Sequence, residues 1–136
     1  MQNDLLAAAL QARERAYVPY SHFKVGAAVY TQQGKIFSGG NIENISYGLC
    51  NCAERTALFS AIAAGTKPRD FLGMAVIAEG DTPVAPCGAC RQVMYELLGP
   101  ETLVWLGNVK GEVRQTTVGA LLPDAFDHFV NDSTSQ

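Results

Sequence analysis

Leu72-Gly73-Met74-Ala75-Val76-Ile77-Ala78 carries no charged or hydrogen-bonding side chain and is closed by Gly80-Asp81-Thr82-Pro83. A short apolar run of this kind suits a strand buried on both faces, and its flanks decide the fold. Before it, a helix is expected from near Cys52 through Ala57, Leu58, Ala61 and Ile62 to Gly65, which stands where a C-terminal cap belongs. After it, a helix following Pro86 carries Val93, Met94, Leu97 and Leu98 and stops at Gly99-Pro100, and 103–106 makes another buried strand. Helices between apolar strands imply parallel pairing under a helical cover, an α/β arrangement. Further out, Phe23, Val25, Ala27 and Val29 alternate with Lys24, Gly26 and Ala28, so a strand over 23–31 turns at Gln33-Gly34 into a second strand near 36–38, an antiparallel hairpin. Gly111 marks a turn into a strand over 112–116, and Thr116 or Thr117 caps a short helix through Leu122. At the other end Asn3 or Asp4 is expected to cap a helix running to about Ala16, with Leu6, Leu10 and Tyr17 on one face and Pro19 beyond its end.

The chain has 136 residues, 48% apolar and 17% charged, with a formal net charge of −3. This length predicts one domain over 1–136 that buries roughly two thirds of its unfolded surface. The apolar share leaves surface to lie between subunits. A protein that grips phosphate backbones shows a basic stripe, and none stands out, so nucleic acid is not expected as a partner. No run of about eighteen apolar residues is present, and the start, Met1-Gln2-Asn3-Asp4, has no basic region, so no membrane partner is expected and the protein is expected in the cytoplasm. A loose polar tail is expected over 131–136.

Three of the four cysteines stand in a pattern that points to chemistry. Cys52 is followed two residues on by Glu54, and Pro86-Cys87-Gly88-Ala89-Cys90 comes later, so Cys52 and Cys87 fall at two helix starts with Cys90 one turn after Cys87. Three thiolates leave the fourth corner of a zinc tetrahedron open to water, and a carboxylate that is not a ligand can move that water's protons. Three thiolates and one divalent ion sum to a single negative charge. The helix N-termini oppose it, and Arg55 or Arg91 can hydrogen-bond a thiolate.

Other readings of the same residues stand beside this one. Cys50, two before Cys52, allows a closed four-cysteine structural zinc site in a non-catalytic interaction module. A Cys87–Cys90 disulfide would make a thioredoxin-like redox site. His22 and His128 have no partner at ligand spacing and read as surface residues, while Phe23, Tyr47 and Phe126 are by default core or surface aromatics.

Cys52-Ala53-Glu54 with Pro86-Cys87-Gly88-Ala89-Cys90 resembles the signature of the zinc nucleoside deaminases, in the version with cysteine as first ligand. Phe23-Lys24-Val25-Gly26-Ala27-Ala28, Asn41-Ile42-Glu43-Asn44, Asn51 to Ala57 and Cys87 to Gln92 fall in the order and spacing of the small cytidine deaminases, and Leu121-Leu122-Pro123 with Phe126 resembles their C-terminal end. The resemblance implies a three-layer α/β/α fold around a mixed sheet of about five strands. It also implies one zinc per subunit on Cys52, Cys87 and Cys90, and hydrolysis of cytidine and deoxycytidine to uridine and deoxyuridine. Glu54 would carry a proton from water to N3 and assist ammonia's departure. Asn41 and Glu43 would hold the ribose hydroxyls, Phe23 would pack on base or sugar, the Ala53 N–H would meet the pyrimidine O2, and Tyr47 would lie toward the 5' side of the sugar. Relatives of this size are homotetramers in which a C-terminal aromatic, here Phe126, reaches a neighbour's site. A sibling deaminase of a related aminopyrimidine nucleoside or nucleoside antibiotic is the nearest alternative substrate reading.

Overall fold

A computed structural model describes residues 1–129; the polar tail expected over 131–136 lies outside the described residues. One five-stranded sheet organises the chain, in the order β2-β1-β3-β4-β5, with β1 Val25–Thr31, β2 Ile36–Gly40, β3 Phe71–Ala78, β4 Leu103–Asn108 and β5 Val113–Thr117. The β1–β2 hairpin turns at Gly34, whose φ of 83° lies in the left-handed region that glycine tolerates. β1 also pairs antiparallel with β3, β3 runs parallel to β4 in the register Met74 to Val104, and β5 returns antiparallel to β4. The sheet is therefore mixed. Its parallel step is the one spanned by a helix, as the 72–78 run implies.

Helices cover both faces. α2 Ala53–Ala63 and α3 Gly88–Leu97 lie over one side, where Ala27, Val29, Met74, Val76, Val104 and Leu106 meet Ala57, Leu58 and Met94. α1 Gln2–Arg13 lies over the other, where Ala28, Ala75, Ile77 and Trp105 meet Leu5 and Ala9. The period-two pattern of β1 thus feeds two cores, and Ala27, Ala28 and Val29 are all buried. The resulting three layers match the expected architecture. α4, Val118–Leu121, follows β5, and the Thr117 hydroxyl accepts from Ala120 N at its start, as the sequence suggests.

α1 departs from expectation. It begins at Gln2, with Met1 in place of Asn3 or Asp4 as the cap, ends as a regular helix at Arg13, and continues in tight turns through Ala16. It buries Leu5, Ala9 and Ala12 while Leu10 and Tyr17 stay exposed. The cause is the closeness of α1 to the sheet. A Cβ on Gly26 would sit 1.9 Å from the Ala9 carbonyl oxygen, and one on Gly40 2.9 Å from Ala16 backbone atoms. A helix resting on glycines presents alanines there, because no space remains for leucine. β1 likewise starts at Val25 and not Phe23, since Val25 N donates to the Asn41 side chain in place of a strand partner.

Candidate active site

Cys52 and Cys87 are the N-cap residues of α2 and α3, both with extended backbone that turns their side chains across the helix starts. Cys90 lies in the first turn of α3, fully buried, and its N–H donates to Cys87 Sγ at 3.5 Å. The three sulfurs lie within 4.8 Å of one another, and Cys52 and Cys87 Sγ are 3.9 Å apart. Sulfurs bound at about 2.3 Å to one tetrahedral ion would be separated by about 3.8 Å. The trio therefore fits zinc, and soft thiolates are the donors that zinc favours.

Cys50 stands apart. It points at the 44–50 loop, where its sulfur accepts from Asn44 N at 3.3 Å, and it is not part of the sulfur cluster. This geometry removes the closed four-sulfur site from consideration. Cys52 and Cys87 line the cavity that Glu54 also lines. Arg91 also differs from expectation: it donates to the carbonyls of Pro86 at 2.7 Å and Leu121 at 2.8 Å, fixing the loop before α3 to the end of α4, with no thiolate as partner.

Arg55 takes the place the charge argument assigned it. Three residues after Cys52, its Nη2 donates to Cys52 Sγ at 3.4 Å, and among the described residues its Nε is buried without a partner. Hydrogen bonding to Cys52, foremost, raises the guanidinium further above its already high range. The Cys90 thiol, foremost, and then Arg55 hold Cys52 down to about 5, and Cys90 is pushed up because it hydrogen-bonds that thiolate.

Glu54 is the only charged side chain buried among the described residues, at 5% exposure. Burial pushes its carboxyl above the usual range, and the negative charge on Cys52 adds to the effect. With Cys52, Ala53, Cys87, Phe23, Asn41 and apolar residues that include Val76 and Val84 it lines a cavity of about 260 Å³. Asn41 Oδ1 accepts from Val25 N and its Nδ2 donates to the Phe23 carbonyl, both at 2.8 Å.

The 41–43 segment is braced from two sides. Ile42 exchanges backbone hydrogen bonds with Asn51, immediately before Cys52, while Tyr17 N donates to the Asn41 carbonyl and Glu43 N donates to the Tyr17 carbonyl. Asn51 Nδ2 donates to the Thr56 hydroxyl, which donates to the Cys52 carbonyl. The start of α2 and the 41–43 segment are thereby one framework. Glu43 and Tyr47 line a second cavity of about 260 Å³ with Tyr20, Ser21 and Cys50, which shares no lining residue with the first. Phe126 is 64% exposed, edge-on to Phe129 with ring centres 5.8 Å apart, and is not brought to this chain's own cavity. His22 and His128 are on the surface, as read.

Ser21 and Val84 carry no signal in the sequence, and Asn51 and Thr56 enter it only within the 51–57 motif, without a role of their own. Asn51 beside Cys52 with Thr56 one turn on was a legible signal. Val84 was not, because its place depends on how the loop after β3 folds back.

Residues 1–106 match the model of the cytidine and deoxycytidylate deaminase zinc-binding region. The chain belongs to the cytidine and deoxycytidylate deaminase family. It is 57% identical over 122 residues to a cytidine deaminase of Halalkalibacterium halodurans, covering 90% of this chain and 91% of that one. A crystal structure of cytidine deaminase from Burkholderia pseudomallei, 61% identical, superposes with a TM-score of 0.91 over 93% of this chain and 99% of that chain. The cytidine deaminase of Mycobacterium tuberculosis, 39% identical, gives a TM-score of 0.80 over 93% and 98%. The deaminase fold thus extends beyond the matched zinc-binding region to the C-terminal part of the described chain.

Proposed function

We propose that the protein is a zinc-dependent hydrolase that converts cytidine and 2'-deoxycytidine to uridine and 2'-deoxyuridine with release of ammonia, serving pyrimidine salvage in the cytoplasm. The observation that carries this reading is the buried carboxylate of Glu54 close to three convergent sulfurs, on a cavity that Phe23 and Asn41 also line.

Cys52, Cys87 and Cys90 would hold one zinc ion per subunit, and the ion would supply Lewis-acid activation of water. Glu54 accepts one proton from the attacking water and delivers it to the ring nitrogen next to the amino-bearing carbon, then takes the second proton of the same oxygen and passes it to the departing amine. Its burial, at 5% exposure, keeps bulk water from intercepting the proton between the two transfers. One water enters, ammonia leaves, and the carboxylate returns to its first state. Arg55 balances the surplus negative charge of three thiolates from 3.4 Å away.

Phe23 offers a face to base or sugar, and Ala53, first residue of α2 and a lining residue of the cavity, has an N–H with no intrahelical partner to offer the pyrimidine oxygen. Asn41 keeps one N–H and one lone pair beyond its two backbone bonds, enough for one sugar hydroxyl. Glu43 and Tyr47 extend the site toward the rest of the sugar. The exposure of Phe126 supports its use by a second subunit in a homotetramer, as do Ile45 and Leu49, 80% and 71% exposed on the loop beside Tyr47. The direct test is the fall in cytidine absorbance with and without a chelator, with metal analysis of the same sample. Turnover that survives complete zinc removal would refute the mechanism.

A further inference from the structure

The Ser21 hydroxyl joins two walls of the site that the sequence treats separately. It donates to Glu43 Oε2 and accepts from Phe23 N at 3.0 Å. The backbone N–H groups of Tyr20 and Ser21 donate to Glu43 Oε1 at 3.0 and 3.1 Å. Between Ser21 and Phe23, His22 has a φ of 59°, a left-handed conformation that turns the Phe23 N–H back onto the Ser21 oxygen. A carboxylate has about four acceptor positions. Three on Glu43 are occupied by this turn, so one remains, held in a fixed direction beside the cavity.

We infer that Ser21 is a positioning residue for sugar recognition: its hydroxyl orients the Glu43 carboxylate toward a single furanose hydroxyl and locks that orientation to the Phe23 wall. This rests on the reading of Glu43 as the acceptor for a sugar hydroxyl. Its own content is that discrimination at the sugar passes through Ser21, which need not touch substrate. Asn41 supports the same arrangement from the other side, because its amide holds the Phe23 carbonyl and Val25 N. The segment bearing Phe23 is therefore pinned at both ends by the two residues assigned to the sugar.

The zinc-loaded wild type, Ser21→Ala and Ser21→Thr are compared on cytidine and on 2',3'-dideoxycytidine, which lacks both ring hydroxyls. Loss of one hydrogen bond to a charged group predicts that Ser21→Ala raises KM for cytidine about tenfold with kcat little changed. On the dideoxy substrate kcat/KM stays within about twofold of wild type, because the interaction being oriented is absent. Ser21→Thr, which keeps the hydroxyl, restores the cytidine KM. Should Ser21→Ala not fold, Ser21→Cys, a weaker donor of similar size, is expected to show a smaller loss confined to cytidine. An equal loss on both substrates, or an unchanged cytidine KM, overturns the inference. A wild type that treats the two substrates alike removes the Glu43 reading, and the inference with it, even if cytidine is turned over normally.

Discussion

Replacing Arg55 by alanine tests the electrostatics of the sulfur cluster. Arg55 Nη2 lies 3.4 Å from Cys52 Sγ on a half-buried side chain. Two unit charges at that distance interact by about 5 kcal/mol at an effective dielectric of about 20, but desolvation of the guanidinium offsets much of it. A hydrogen bond to a charged group retains about 1.5–3 kcal/mol net. At about 1.4 kcal/mol per tenfold, Arg55→Ala should weaken zinc binding by about ten- to a hundredfold, the range typical of partners that hydrogen-bond a metal ligand. Arg55→Lys keeps the charge without the planar fork and should fall between. The assay is competition for zinc against a chromogenic chelator at fixed ionic strength, with circular dichroism to establish that each variant is folded. A folded Arg55→Ala protein whose zinc dissociation constant lies within about twofold of wild type would refute charge compensation.

Other outcomes follow from the same geometry. Glu54→Gln keeps the shape of a buried side chain that is not a ligand, so it should hold zinc while losing at least about a hundred- to ten-thousandfold in kcat; near-normal turnover would exclude the proton-transfer role. Cys50→Ala should leave zinc content unchanged, whereas Cys90→Ala should lose the metal, and metal analysis of the two purified variants separates them. In metal-stripped protein burial raises the pKa of Glu54, so folding favours the protonated carboxyl relative to the unfolded chain. That contribution to stability is complete below the carboxyl's unfolded pKa and disappears as pH rises through the folded value. Stripped Glu54→Gln should then melt above stripped wild type at pH 7, by a few degrees for each ~1 kcal/mol, and the gap should close toward pH 4. A gap that widens on acidification contradicts the assignment.

The site was more legible than the packing that carries it. Cys52 and Cys87 at helix starts, with Cys90 one turn on, follow from spacing alone, because helix geometry relates residues three apart whatever the rest of the chain does. The face of α1 did not follow. Leu6 and Leu10 dominate any hydrophobic pattern, yet Gly26 and Gly40 let the helix backbone approach so closely that Ala9 and Ala12 make the contact. That approach is a property of two distant segments together. Arg91 was misread for a related reason: adjacency to Cys90 in sequence turns the side chain away from the sulfurs and toward the Pro86 and Leu121 carbonyls. Asn41 and Glu43 come from the resemblance to the small cytidine deaminases, and their hold on 20–25 depends on a turn at His22 that no residue type announces.

Cys52 and Cys87 are 35 positions apart and cap separate helices. An ion gripped by both, and by Cys90, binds only a chain in which α2, β3 and α3 are already in place, so it draws the population toward the folded state by mass action. The lifetime of the protein in a cell should then track free zinc, with metal-starved molecules cleared by proteolysis before they are missed as catalysts.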